Sequence, residues 1–338
     1  MARSVVYLVA RRLLATVQMA FILLTLIFLI LRLLPGDPTA GVLPAEAPEE
    51  AREYLIKELG LDRPLYEQYF KYLNGLFTGR LGMSWSERRD VYETVALSLP
   101  TTLELTLVSM AVAIGIGVLV GAVSAIKADT SIDHSLRIFN VFWYSMPVIW
   151  LGPMMQLIFG IYLGILPVSG RILWSVAPPR ITGLMVFDSI ISGSLASLLD
   201  ALKHLVLPCV TLGLIISSTI SRITRGSLMD VLVQDYILLA TAKGLSRLQV
   251  VFTHALKNAS FPVITFIALE FGSLLAGAIV NESIFNLPGM GRVLIRALEA
   301  RDFALLQGAL SFSVIWVSIA TFVVDVIYMA LDPRVKTI

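Results

Sequence analysis

Long apolar runs separated by polar stretches dominate the chain. Six runs approach or exceed the roughly 20 apolar residues that a helix needs to cross the hydrocarbon core of a bilayer. They cover residues 13–34, 103–126, 138–166, 205–221, 261–281 and 307–331. The pattern predicts an all-α polytopic membrane protein with six transmembrane helices.

The composition strengthens this prediction. With 57% hydrophobic and 15% charged residues, the chain is too apolar for a soluble globular protein. A net charge of +2, dispersed over short loops, does not predict nucleic-acid binding. The single cysteine, Cys209, lies inside an apolar run, which excludes an intrachain disulfide. The first run is too long for the core of a signal peptide, so we interpret it as a retained first span.

The distribution of Lys and Arg predicts the orientation in the membrane. With the N-terminus inside, the cytoplasmic segments hold 12 of these residues and the two shorter outer loops hold 6. The long first loop holds 7 more, but loops of that length cross the membrane regardless of charge. Both termini are therefore predicted to be cytoplasmic.

Three parts are expected along the chain: an N-terminal tail with the first span (1–34), an extracytoplasmic cap (35–100) and a core of spans two to six (101–338). The Pro-Gly-Asp-Pro sequence at 35–38 ends the first helix.

Two helices are predicted within the cap. The first covers 47–59 and stops at Gly60. The second carries one apolar stripe formed by Tyr66, Tyr69, Phe70 and Leu73.

Several polar or small residues interrupt the spans. Pro147, after Ser145 and Met146, predicts a break in the third span, which can line a pathway or only affect packing. Glu270 falls near the middle of the fifth span. Two interpretations stay open for it: a neutral or hydrogen-bonded carboxyl between helices, or a carboxylate lining a water-filled pathway.

Small residues spaced by four predict close helix contacts in two spans. The pairs are Gly117 with Gly121, Gly272 with Ala276, and Ser273 with Gly277.

A polar, basic stretch at 235–262 separates the fourth and fifth spans. Asp235 suits an N-cap, residues 236–243 make about two helical turns, and Gly244 suits a left-handed stop.

A second helix is predicted directly after that stop. Ser246 and Gln249 form a capping box that starts it, and the helix should reach Asn258, before Pro262. The stretch is therefore predicted to be a folded cytoplasmic loop.

This loop resembles the "EAA" signature of the membrane-spanning permease subunits of bacterial ATP-binding-cassette importers, in the branch of dipeptide and oligopeptide permeases. The resemblance covers nearly the whole chain, but Leu238, Leu239 and Thr241 depart from the usual pattern. It implies a coupling helix, within a coupling loop at 222–260, that docks on an ATPase. The implied coupling residues are Asp235, Tyr236, Ala240, Ala242, Lys243, Gly244, Leu245 and His254.

Polar and small residues of the third and fifth spans are candidates for the translocation pathway: Ser145, Met146, Glu270, Gly272, Ser273 and Ala276. The resemblance implies candidates at one further place. Candidates for the outer face, near a binding protein, are Asp37, Gly82, Glu282, Gly289 and Arg292.

The partners implied are two ATPase subunits, a second and related permease, an extracytoplasmic substrate-binding protein and membrane lipid. The chain has no G-x-x-x-x-G-K-[ST] phosphate loop, so ATP and Mg²⁺ are expected on the ATPase subunits and no catalytic residue is predicted here. The histidines, His134, His204 and His254, are scattered, so no metal site is predicted either.

The function expected from the resemblance is import of dipeptides or oligopeptides across the bacterial inner membrane. Nickel complexes, glutathione or oligosaccharides are alternative cargoes within the same family. An ion-coupled secondary transporter that uses Glu270 is an alternative from another class, although the two halves show no convincing repeat.

Overall fold

A computed structural model describes residues 2–33, 43 and 47–331. Nearly all of the described elements are helices. In chain order they are α1 (Ala2–Leu33), α2 (Glu49–Leu59), α3 (Leu65–Thr78), α4 (Val91–Ile126), α5 (Ser131–Tyr144), α6 (Val148–Met155), α7 (Met185–Ile191), α8 (Leu195–Leu232), α9 (Asp235–Ala242), α10 (Arg247–Gln249), α11 (Leu256–Ile284), α12 (Met290–Glu299) and α13 (Phe303–Leu331). A short antiparallel hairpin, β1 (Met83–Ser84) and β2 (Arg89–Asp90), precedes α4.

Five segments are long and apolar enough to cross a membrane. They are Tyr7–Leu33, Val91–Ile126, Leu195–Leu232, Val250–Gly272 and Phe303–Val326. The predicted third span is instead a broken pair, Ser131–Tyr144 and Val148–Tyr162, bent by 102°. Pro147 explains the break, because a proline lacks an amide hydrogen and disfavours helical geometry in the residue before it.

The second and fourth spans begin earlier than predicted. α4 starts at Val91, inside the range expected for the cap, and α8 starts at Leu195. The first turns of α4 contain Thr94, Ser98 and Thr102, which a hydropathy pattern places outside the membrane but which are buried in the fold.

α4 and α8 form the most closely packed pair and run in the same direction. A Cβ at Gly117 would lie 2.7 Å from Cβ of Ile220, and one at Gly121 would lie 2.7 Å from Cβ of Thr224. The small-residue contact predicted for this span is therefore confirmed. Because the two helices are parallel, the residues between them, including the bent pair, carry the chain back to the opposite end.

The remaining long helices alternate in direction. α1 and α13 are antiparallel. Arg12, near the start of α1, bonds Asp325, near the end of α13, with 3.2 Å between Nη1 and Oδ2. The start of α1 and the end of α13 therefore lie at the same end of the bundle. α11 is antiparallel to α8: Asn281 Nδ2 donates to the carbonyl of Pro208 at 3.0 Å, near the other end. We name the two ends of the bundle the α9 end and the α12 end, after the short helix at each.

The two cap helices form as predicted, but the packed face of α3 differs. Gly60 ends α2 in the left-handed region, at φ 71°. On α3, Tyr69 and Tyr72 pack against the Phe28 ring of α1, with centroids 5.2 and 5.6 Å away. Tyr66 and Phe70, expected on the packed stripe, are 64% and 67% exposed. Hydrogen bonds of the tyrosine hydroxyl groups favour the observed packed face: the Tyr69 hydroxyl bonds Thr25, and the Tyr72 hydroxyl bonds Ser311.

Candidate functional site

The short helix α9 presents an apolar surface to its surroundings. Ile237 and Ala240 are buried, whereas Leu238 and Leu239 are 58% and 57% exposed. Two adjacent exposed leucines on a two-turn helix form a surface suited to a partner protein. Asp235 is the first helical residue and makes no capping hydrogen bond, so the predicted N-cap is wrong; Gln234 precedes the helix instead.

The turn after α9 has the predicted geometry. Gly244 adopts φ 87°, a conformation that favours glycine, and its amide donates to the carbonyl of Thr241 at 2.9 Å. Ser246 and Gln249 form the capping box: the Ser246 amide donates to Gln249 Oε1 at 3.0 Å, and the Gln249 amide donates to Ser246 Oγ at 3.4 Å.

The second helix of the loop does not end before Pro262 as predicted. α10 passes through a π-helical segment, Val250–Ala255, into α11, and Pro262 lies inside that helix. α10 and the fifth span are therefore parts of one continuous helical element, and the turn at Gly244 joins α9 to it.

Buried contacts hold α9 on the ends of the long helices. Ile237 and Ala240 join one apolar cluster, whose other buried members are Ala122, Ala125, Ile126, Leu228, Val250, Val251, Ala255 and Ala259. Asn258 Nδ2 also donates to the Tyr236 hydroxyl at 2.6 Å. α9 is thus fixed to α4, α8 and α11 at the same time.

An ion pair close to α9 was not found by sequence reasoning. Arg225 of α8 binds Asp133 of α5 through two hydrogen bonds, Nε to Oδ1 at 2.9 Å and Nη2 to Oδ2 at 2.8 Å. Asp133 is fully buried and also accepts from Ser124 Oγ of α4 and from the amide of Asp129. A bidentate pair of this kind is directional, so it fixes α5 against α8.

The coupling candidates differ in their exposure. Ala240 is buried and Leu245 is partly buried. The exposed candidates are Asp235, Tyr236, Ala242, Lys243, Gly244 and His254. The structure therefore brings together one buried anchor and a group of accessible residues on a single loop.

Two of the pathway candidates on α11, Glu270 and Gly272, have described surroundings. Glu270 lies at the middle of α11 and is half-buried, and among the described residues nothing bonds to its carboxylate. Gly272 faces α13, since a Cβ there would lie 3.8 Å from Val317 Cγ1. Ser273 and Ala276 belong to the same helix. Among the described residues, a Cβ at Gly277 would meet nothing within 4 Å.

The other two pathway candidates lie at the break in the third span. Ser145 is exposed and its Oγ donates to the carbonyl of Val141 at 2.8 Å. Met146 packs against the main core, in which Phe266 and Phe271 of α11 also take part. The break therefore contacts α11 through apolar side chains.

Glu282 does not lie on the outer face as expected. It is fully buried and accepts hydrogen bonds from Thr102 Oγ1 at 2.5 Å, the Gly291 amide at 2.8 Å and the Arg292 amide at 3.3 Å. A side chain at Gly289 would overlap its carboxylate. Glu282 is an internal anchor for the start of α12, where a carboxylate is also favoured by the helix dipole.

The other outer-face candidates have separate positions. Gly82 adopts φ 92° at the hairpin, with open space around it. Arg292 is partly buried and lines a small cleft with Arg89 and Arg296. Asp37 lies outside the described residues.

A second buried ion pair ties the loop before α8 to α4. Arg171 Nη2 donates to Glu104 Oε2 at 2.6 Å and to the carbonyl of Gly183 at 2.9 Å, and the Val186 amide donates to Glu104 Oε1 at 2.7 Å. Glu104, which lies near the predicted start of the second span, is 5% exposed.

A neighbouring carboxylate, that of Asp188, fixes the same loop through hydrogen bonds. Asp188 accepts hydrogen bonds from the amides of Ile181, Thr182 and Gly183 and from the Thr182 hydroxyl. Burial acts to raise its pKa, and these hydrogen bonds outweigh burial, so the pKa of Asp188 is lowered. The side chain is held as a carboxylate at neutral pH.

Comparison with known proteins adds three findings. Residues 117–337 match the family of binding-protein-dependent transport system inner membrane components, and residues 5–106 match the N-terminal region of such membrane components. The chain is 39% identical to the di/tripeptide transport system permease protein DppB of Pseudomonas aeruginosa, over 97% of this chain and 98% of that protein. It is 41% identical to the dipeptide transport system permease protein DppB of Alkalihalophilus pseudofirmus, over 96% and 98%.

The fold also resembles a solved structure. An inward-facing form of the MetNI methionine ABC transporter aligns with a TM-score of 0.51 and 16% identity, covering 69% of this chain and 93% of the other. This likeness concerns the fold alone.

Proposed function

This chain belongs to the family of binding-protein-dependent transport system inner membrane components, and from that membership we propose that it forms half of the pathway of an ATP-driven peptide importer. Its cargo is dipeptides or short oligopeptides, because the two relatives at 39% and 41% identity are named for di/tripeptide and dipeptide transport. Family membership favours this function over the ion-coupled carrier that Glu270 left open in the sequence.

The proposal assigns the α9 end to the cytoplasm and the α12 end to the outside. The excess of Lys and Arg in the segments of the α9 end supports this orientation. α9 is then the coupling helix, and it docks on one of two ATPase subunits that bind ATP and Mg²⁺. A second, related permease supplies the other half of the pathway, and a binding protein delivers cargo at the α12 end.

One observation carries the proposal: α9 exposes Leu238 and Leu239 while Ile237 and Ala240 fix it to the long helices. A rigid helix with an apolar outer face can transmit a push from an ATPase to the spans. α9 packs on Val250, Val251 and Ala255 of the helical element that continues into α11, so a push on α9 reaches the fifth span through these buried contacts.

The test changes the stop residue of α9 in the reconstituted transporter with its ATPases and binding protein. Gly244→Val forces a β-branched residue to φ 87°, which costs about 1–2 kcal/mol locally and displaces the coupling surface. We expect peptide uptake and peptide-stimulated ATPase activity to fall about tenfold or more, a loss equivalent to roughly 1.4 kcal/mol of coupling free energy.

Two glycines provide matched controls. Gly193→Val places the same strain, at φ 65°, on an exposed turn of the α12 end, and Gly226→Val adds the same side chain to an open position on α8. Both should retain uptake. Full uptake by Gly244→Val, or an equal loss in Gly193→Val, would contradict the coupling role.

The cargo is tested in the same vesicles. Uptake with the cognate binding protein is measured for a dipeptide, a tripeptide, glutathione, a nickel complex and an oligosaccharide. Uptake of the dipeptide or tripeptide in preference to the others is expected, and a preference for any of the other three would replace the peptide assignment.

A further inference from the structure

A cavity of about 510 Å³ opens at the α12 end on the α1 side of the bundle. It lies between the end of α1, helix α3, the hairpin and the start of α13. Among the residues that the structure describes, its lining is basic: five cationic side chains face two carboxylates. The cations are Arg32, Arg63, Lys71, Arg80 and Arg301, and the carboxylates are Glu67 and Asp302.

The two carboxylates are already engaged. Asp302 accepts hydrogen bonds from Ser84 Oγ at 2.8 Å and from Ser86 Oγ at 2.9 Å. Glu67 lies 3.9 Å from Arg63. The cavity therefore presents an excess of positive charge, which favours an anionic ligand.

Two arginines on α1 indicate the level of the cavity relative to the membrane. Arg12 and Arg32 are 20 residues apart, about 30 Å along a helix axis, which equals the hydrocarbon thickness of a bilayer. Residues 13–31, between them, carry no charge. Arg32 therefore lies at the level of lipid phosphates on the α12 side, where its Nε donates to Gln68 Oε1 at 2.8 Å.

α1 also exposes apolar side chains on the membrane side of Arg32: Leu26 and Ile30 are 46% and 56% exposed. A ligand with an anionic head and hydrocarbon chains would bind with its head in the cavity and its chains against these residues.

One buried donor at the cavity also lacks a partner. Gln307 lines the cavity, and its Nε2 is buried without a hydrogen-bond acceptor in the described part of the chain. Buried donors are normally paired, so an acceptor oxygen from a ligand is the expected partner.

We propose that this cavity binds the phosphate of one anionic glycerophospholipid of the outer leaflet. The guanidinium groups of Arg32 and Arg301 hold the phosphate oxygens, Gln307 Nε2 donates to the headgroup, and the acyl chains lie along α1. The pathway candidates lie elsewhere, on α11 and at the break in the third span, and none of them is among the described residues that line this cavity.

The experiment uses the full transporter in detergent, titrated with phosphatidylglycerol and followed by native mass spectrometry. We expect one bound lipid per copy of this chain. Arg32→Gln combined with Arg301→Gln should weaken binding about tenfold or more, since charge-assisted hydrogen bonds are lost. Arg296→Gln is the matched control, because Arg296 lies at the same end outside the cavity lining. Arg32→Lys should retain much of the binding.

Three outcomes would overturn the proposal. They are equal binding by the double variant, an equal loss in Arg296→Gln, and displacement of the lipid by millimolar inorganic phosphate, which would assign the cavity to a free anion. Arg301→Gln alone provides a second variant if the Arg32 change prevents assembly, because Arg301 lies on an exposed turn and should still weaken binding. None of these measurements requires peptide transport, so their result is independent of the proposed function.

Discussion

The two ends of the bundle handle buried charge in different ways. At the α9 end, Asp133 joins three long helices through Arg225 and Ser124. At the α12 end, Glu104 holds a loop through Arg171 and the Val186 amide, and Glu282 holds the start of a short helix through two backbone amides.

The apolar surfaces of the two ends differ as well. α9 leaves two adjacent leucines exposed, while α12 buries Met290, Val293 and Ala297 along one face. α9 therefore presents two adjacent leucines to its surroundings, whereas α12 turns these three side chains inward and leaves Leu298 65% exposed. We infer that force enters the molecule at the α9 end.

The largest effect is expected from breaking the ion pair between Asp133 and Arg225 at the α9 end. Asp133→Ala leaves Arg225 without its partner and should destabilise the protein by about 3–5 kcal/mol, the range for removing one side of a buried ion pair. The apparent melting temperature of the purified transporter measures the loss. Hydrogen exchange should rise around α9 and remain unchanged in α12.

Arg137→Gln is the control for this change. Arg137 lies 3.8 Å from the same carboxylate but is 46% exposed, so its loss should cost less than about 1 kcal/mol. Similar destabilisation by both variants would show that the buried geometry of the Arg225 pair has no special role.

A smaller effect is expected from the corresponding change at the α12 end. Glu282→Ala leaves two backbone amides and the Thr102 hydroxyl without their acceptor, at a cost of about 2–3 kcal/mol. Hydrogen exchange should rise in α12 and not in α9, the reverse of the first variant. Glu299→Ala, an exposed change at the other end of α12, should have no measurable effect. Increased exchange in α9 would mean that the two ends are not independent.

The smallest effect is expected from removing a hydrogen bond that holds α9 against α11. Tyr236→Phe removes the hydrogen bond from Asn258 and should cost about 0.5 kcal/mol, since the pair is exposed. Amide exchange in α9 should rise roughly twofold, as expected for a difference of that size. Tyr54→Phe, a change at a tyrosine that is 69% exposed, should leave exchange in α9 unaltered. No difference between the two variants would remove Tyr236 from the support of α9.

Local features were well predicted from the sequence because each depends on neighbouring residues. Gly60 and Gly244 have the left-handed conformations expected, and Ser246 with Gln249 forms the expected capping box. The close approach at Gly117 and Gly121 was also predicted, since spacing by four places both on one helix face.

Predictions that depended on hydropathy alone were less successful. α4 was expected to begin at 103, because the Thr and Ser residues before that position are typical of a loop outside the membrane. In the structure it begins at Val91. Glu282, for which the resemblance implied a place at the outer face, is also buried. A polar side chain can be buried when it finds a partner, and the partner lies in a distant part of the chain.

The order of apolar runs, the turn chemistry and the signature in the loop were enough to determine a multi-span permease with a folded loop between its fourth and fifth spans. Tertiary structure alone decided the 102° bend, the pairing of Asp133 with Arg225 and the basic cavity beside α1. The physical reason is the range of the interactions involved. Helix periodicity and caps act over a few residues, whereas Arg225 and Asp133 are 92 positions apart and meet only after the helices have packed.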